Sequence, residues 1–298
     1  SFQGTGLTNS FATSVSNNDQ TDIGQMVYLF NHELMHNWIG HTIKNENEEE
    51  QYWFSEGFTE YYTFKNIAKN KINGLDGTFY IDELNRTIRD LYASSVGEDP
   101  NSEINYENFW TNYEYSKLPY WRGALFAFYL DQKIQQASEG KQGLDDAMHQ
   151  IYADATTNGQ KLTHAYFVKV MNSYWGQDFD VVFKKHIQEG QKVDLPALFE
   201  ELGVEYSPES DVYQLGFEFT EDRKGIASVI EGSKAWEAGV REGDEVFSRS
   251  IWQGNIEHKV ELGLRRNGEE TTVSFYPVTK AAVPQLKPTP ENIEKLGF

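Results

Sequence analysis

The hydrophobic period of the chain changes near Gly203, and that change limits the fold to two unlike parts. Upstream, apolar residues recur at helical intervals, and Met26, Val27, Phe30, Leu34 and Trp38 mark one stripe. Further helical patterns cover 53–66, 79–93, 119–136, 143–154, 163–173, 179–188 and 196–202. Asp22, Asp178 and Asp194 stand as N-caps, and Gly40 as a stop for the first helix. The run 44–51 (KNENEEEQ) reads as a solvated loop or frayed first turn. Beyond Tyr213 the period drops to two, in short segments at 215–219, 226–230, 245–247, 258–262 and 271–276. Gly232, Gly243, Gly254 and Gly268 punctuate them. An alternating stretch at 11–15 reads as an edge strand. The expected class is α+β: a mainly helical domain over 1–204, a β-rich domain over 205–280 and a C-terminal tail over 281–298, with a linker at 203–210.

Length and composition agree with that division. A chain of 298 residues suits two compact domains. With 39% hydrophobic and 14% aromatic residues it can fill their cores, which excludes global disorder. The 26 basic residues are outnumbered by 46 acidic ones, and a net charge of −20 repels nucleic acid and anionic membrane surfaces. There is no Cys, so disulfides, thiolate nucleophiles and Cys-bound metals are excluded. No apolar run approaches the roughly 20 residues that span a bilayer, and residues 1–10 carry no signal-peptide pattern. The acidic, Cys-free composition leans toward a periplasmic or secreted setting without assigning one.

The chemistry is concentrated at His32-Glu33-Leu34-Met35-His36. On a helix, His32 and His36 lie four residues apart and project from one face, where two neutral imidazoles can hold one zinc ion. Glu33 lies about 100° further round and reaches a water at the metal. A catalytic site needs a third protein ligand and an open fourth position. Glu56, in the apolar-flanked helical segment WFSEGFTEYY, supplies that ligand if a loop folds its helix back on the first. The carboxylates of 46–50 are rivals with no apolar face to fix them. Glu60, one turn beyond Glu56, is placed to meet the far nitrogen of a ligand His.

These motifs carry a resemblance. HELMHNWIG followed by WFSEGFTEYY is similar to the gluzincin metallopeptidases, and most of all to the glycyl-aminopeptidase-like family. That family joins a thermolysin-type catalytic domain to a C-terminal PDZ domain. The resemblance implies one Zn2+ per chain on His32, His36 and Glu56, with Glu33 as general base. The segment YSKLPYWRG resembles the one whose tyrosine stabilises the oxyanion, which places Tyr120 in that role and Tyr115 on the same wall. The spacer from His36 to Glu56 is one residue longer than in the commoner aminopeptidase pattern. Gly6-Leu7-Thr8 falls where the family has a substrate-binding edge strand, and Thr8 replaces its amine-binding Glu. A hydroxyl cannot offset an ammonium charge as a carboxylate does, so aminopeptidase-like action is expected, with endopeptidase action open. Family members also carry more chain ahead of the first ligand, so a C-terminal portion of a longer protein is expected. Residues 210–279 resemble a protease-type PDZ domain, with Leu215, Gly216 and Phe217 as a carboxylate-binding loop for a peptide C-terminus. The expected partners are peptide or protein substrates. The rival readings are a PDZ-type peptide-binding scaffold with an inactive peptidase domain, and a zinc hydrolase of non-peptide substrates.

Overall fold

The computed structural model describes residues 2–7, 10–15, 22–175 and 178–298, with backbone alone for 2–7. The chain adopts an α+β fold divided into two compact units. One contains Ser1–Tyr206 and Leu286–Phe298, and the other Ser207–Gln285.

The first unit opens with an antiparallel hairpin, β1 (Phe2–Leu7) and β2 (Ser10–Val15). Helix α1 (Ile23–Met35) starts where the Asp22 carboxylate accepts from the Gly24 N–H at 2.9 Å. It stops at Met35, ahead of the sequence expectation, and the chain turns through Gly40. The apolar stripe read from the sequence is not the face that α1 buries. Leu34 is exposed, as is Trp38 beyond the helix end, and Met26, Val27 and Phe30 are half-buried, whereas Asn31, His32 and Glu33 are buried, with Asn31 and His32 meeting Asn66 and Glu60 of α3 (Gly57–Lys69). A polar face turned inward is characteristic of a functional site. Asn66 donates to Asn31 Oδ1 at 2.8 Å and ties the two helices.

The acidic run divides: 44–47 precede the helix, and the rest enters its first turns. Glu48–Ser55 forms α2, and Glu48, Glu49 and Glu50 fill its first turn, where carboxylates favour the positive end of the helix dipole. Glu56 caps α2 and immediately precedes α3. Helix α4 (Gly77–Ala93) and short α5 (Tyr106–Thr111) follow, then α6 (Tyr113–Ala137). The sequence places the start of α6 at Pro119. Asn112 starts it earlier, by accepting from the N–H groups of Glu114 and Tyr115. Helices α7 (Leu144–Asn158), α8 (His164–Trp175), α9 (Phe179–Phe183, extended by a wider turn to Gln188) and α10 (Leu195–Leu202) complete the bundle.

Its core is aromatic. Trp53 is fully buried with ring centroids of Phe58, Phe167 and Phe183 at 5.6, 5.1 and 5.4 Å, all near edge-on. Such rings are large, stiff and mutually oriented, so they fix the helix junction at Glu56.

In the second unit β3 (Tyr206–Ser207) leads from the first unit into β4 (Ser210–Tyr213). Strands β5 (Phe217–Phe219) and β6 (Ile226–Val229) pair, α11 (Lys234–Glu237) follows, and β7 (Glu245–Ser250), β8 (Val260–Arg266) and β9 (Glu269–Phe275) form a meander. Strand β10 (Val278–Ala281) returns to pair with β4. Alternate residues Val260, Leu262 and Leu264 of β8 join Phe217, Ile226 and Phe275 in the core.

The segment expected as a tail is structured. After β11 (Gln285–Leu286), the chain forms α12 (Pro290–Lys295) and packs on α4. Asn85 holds Leu286 by two hydrogen bonds of 2.8 Å, and the ring of Phe298 lies 4.3 Å from that of Tyr80.

Candidate metal centre

Helix α1 and the α2–α3 junction bring His32, His36 and Glu56 together. His32 Nε2 lies 3.1 Å from His36 Nε2, and Glu56 Oε2 lies 3.6 and 3.7 Å from the two nitrogens. Donors about 2.0–2.2 Å from a tetrahedral zinc stand about 3.3–3.5 Å apart, so the three atoms match the base of such a site. They also have the chemistry for it. His36 Nδ1 lies 3.1 Å from the Ile39 carbonyl, a contact that an N–H satisfies by donating. The Nε2 lone pair of neutral His36 is then turned to the trio. Glu56 Oε2 is buried without a hydrogen-bond donor. A buried carboxylate oxygen left bare beside two imidazoles is what a cation would complete.

The electrostatics point the same way. Burial opposes a charge on His32, but Glu56 and Glu60 outweigh it and push its pKa up to about 10. Burial would raise the Glu56 carboxyl, yet His32, His36 and Tyr120 hold it below its usual range. The pocket therefore attracts positive charge.

Around the trio stand the other candidates. Glu33 is buried beside His32, and its charge reaches the Tyr120 phenol. The Tyr120 ring stacks on His32 with centroids 5.9 Å apart and a 16° interplanar angle. Burial, then the charge and hydrogen bond of Glu56, push the Tyr120 phenol well above its ordinary pKa, so it stays a neutral donor. Glu60 Oε2 lies 3.8 Å from His32 Nδ1, on the far side of the ring from the trio.

Two contributions escape the sequence reading. Tyr28, one turn before His32, donates to Glu60 Oε1 at 2.5 Å and so orients the carboxylate behind His32. The i, i+4 spacing from Tyr28 to His32 was the available signal. The other is a glycine pair. A Cβ on Gly123 would stand 1.9 Å from the Trp53 carbonyl oxygen, and one on Gly57 would stand 2.3 Å from Gly123 Cα. The bare backbones let α6 cross the α2–α3 junction closely enough to set Tyr120 against Glu56.

Tyr115 is not brought to the trio. Its hydroxyl donates to Asp99 Oδ2 at 2.6 Å, and that bond raises its pKa to about 12. Gly6 and Leu7 lie at the end of β1, paired with Phe11 and Ser10, and Thr8 lies outside the described residues.

A crystal structure of an aminopeptidase N family protein from Idiomarina loihiensis has the same fold. The TM-score is 0.66 at 18% sequence identity, over 100% of this chain and 60% of that one. The present chain thus spans 60% of the length of that protein. The model of the peptidase family M1 domain matches residues 5–185, a stretch that holds His32, Glu33, His36, Glu56 and Tyr120. With more than half of its length in that match, the chain belongs to peptidase family M1.

Proposed function

We propose that the chain is a zinc-dependent, aminopeptidase-like hydrolase of peptide bonds. The observation that carries this is the triangle of His32, His36 and Glu56 with Glu33 and Tyr120 beside it. His32, His36 and Glu56 would hold the metal. When bound, zinc supplies a Lewis acid that polarises a carbonyl and lowers the pKa of water at the site. Glu33 takes the proton of the attacking water and passes it to the leaving amine. Tyr120 donates to the developing oxyanion, and being neutral it does so without changing the net charge of the pocket. Glu60, itself held by Tyr28, keeps the His32 ring in register.

Metal content and cleavage test this together. The purified chain should carry about one zinc and release the first residue of peptides with a free α-amine in preference to N-blocked ones. Glu56→Ala should lose metal and cleavage alike. Absence of zinc from the unaltered chain sinks the proposal, and preference for blocked peptides turns it to an endopeptidase.

The second unit supports the finer assignment to a glycyl-aminopeptidase-like protein with a PDZ-like module. Gly216 turns at φ +82, and its carbonyl accepts from the Ile230 N–H at 2.9 Å. Leu215 and Gly216 lead into β5, where the Phe217 side chain is core rather than lining. Among the described residues β5 pairs with β6 alone, which leaves an edge for an added strand. A peptide with a free C-terminal carboxylate should bind at least about tenfold tighter than its amide. Equal affinity would leave the module a packing element.

A further inference from the structure

We propose, resting on the zinc-site reading, that Asn31 and Asn66 are positioning residues for the metal set. Their amide bond holds α1 at the angle to α3 that brings His32 and His36 to Glu56. The set spans two elements: α1 carries both imidazoles, and Glu56 stands at the head of α3. The distances of 3.6 and 3.7 Å from Glu56 to the two nitrogens therefore depend on how the helices cross.

Hydrophobic packing does not fix that crossing, because the side of α1 that meets α3 is largely polar. Tyr28 and His32 both meet Glu60, and the Tyr28 ring lies 6.2 Å from that of Phe64. These contacts gather in the first two turns of α3, where on their own they act as a pivot. Asn66 stands in the third turn, about 9 Å further along the axis than Glu60. Its bond to Asn31 is a second point of attachment, and two points set an angle that one leaves free.

The bond has a fixed sense. The Val27 carbonyl can only accept, so Asn31 turns Nδ2 to it, at 2.7 Å. That leaves Oδ1 for α3, where Asn66 Nδ2 donates at 2.8 Å. Asn66 Oδ1 accepts in turn from Asn70 Nδ2 at 2.8 Å. The amides thus donate in one direction, from exposed Asn70 to buried Asn31, and each polarises the next. Such a pair adds little stability, because two apolar groups of the same outline replace it at nearly no cost. What it supplies is alignment: any slip of α1 leaves Asn31 Oδ1 buried without a donor. One polar pair between helices sets register in the same way in coiled coils.

Zinc affinity separates alignment from stability. In the double variant Asn31→Leu, Asn66→Leu, zinc should bind about 10–100-fold more weakly in competition with a chelator. The unfolding midpoint of the metal-free chain should hold or rise. Zinc affinity equal to that of the unaltered chain overturns the proposal. So does a metal-free midpoint that falls with the affinity, since a bond that merely stabilises would lower both. Should the double variant fail to fold, Asn66→Ser decides. Asn66 is half-buried, so the shorter side chain is tolerated, and zinc affinity should still fall by about tenfold. Unchanged affinity there refutes the role. An unaltered chain that binds no zinc fells the zinc reading and this role with it; a zinc-binding chain matched by its variants fells this role alone.

Discussion

Glu33→Gln should lower kcat by about 10³–10⁴-fold while the chain keeps its zinc. At 1.36 kcal/mol per tenfold, that is about 4–5.5 kcal/mol of transition-state stabilisation. The amide preserves the shape of the side chain and its place beside His32, but it cannot take a proton. The three donor atoms of the metal set belong to His32, His36 and Glu56, so none is touched. Metal content and unfolding midpoint should therefore match those of the unaltered chain. A variant that retains zinc and turnover would assign the proton transfer to another group. One that loses zinc would show that Glu33 supports the metal instead.

Gly123→Ala should cost about 3 kcal/mol or more, at the upper end of what overpacking does. The new methyl would meet a main-chain oxygen at 1.9 Å, and the Gly57 Cα at 2.7 Å. Neither can rotate away, so α6 must move off the α2–α3 junction. Against a total stability of about 5–15 kcal/mol, the loss is large. The midpoint should fall by about 6–12 °C for a unit of this size. Activity should fall further than stability explains, because the same movement withdraws Tyr120 from Glu56. Gly24→Ala is the matched control: its Cβ would meet only the Asp22 carboxyl, at 3.4 Å, in the first turn of α1. That variant should be neutral or slightly stabilised. If Gly123→Ala behaves like the control, the close crossing does not hold the site together.

The metal set was legible because its signal is local. His32 and His36 share a helical turn, and Glu56 sits in a segment with an apolar frame. Hydrophobic periodicity alone did not show which side of α1 turns inward: it finds the apolar stripe, whereas Asn31, His32 and Glu33 are the buried residues, and the pairing of His32 and His36 with Glu56 was the signal that pointed to that side. The start of α6 was missed because Pro119 is a favoured first residue and Asn112 is an equally good cap further upstream. The acidic run reads as a loop or a first turn and is both, since 44–47 precede the helix and Glu48, Glu49 and Glu50 form the first turn of α2. Close backbone approach leaves no pattern at all. Gly57 and Gly123 look like any other glycines until the helices are placed, and Tyr28 like one more aromatic.

The Asn85 bonds to Leu286, with α12 seated on α4, bear on how the protein can be dissected. The β-rich unit is an insertion in the sequence of the helical one. A cut after Tyr206 discards more than that unit. It also unplugs Phe298 from Tyr80 and leaves both Asn85 bonds without a partner. A truncated chain that loses activity would therefore say nothing about whether the β-rich unit helps catalysis. The informative excision removes 207–285 and splices a short linker to Leu286, so that the clasp survives.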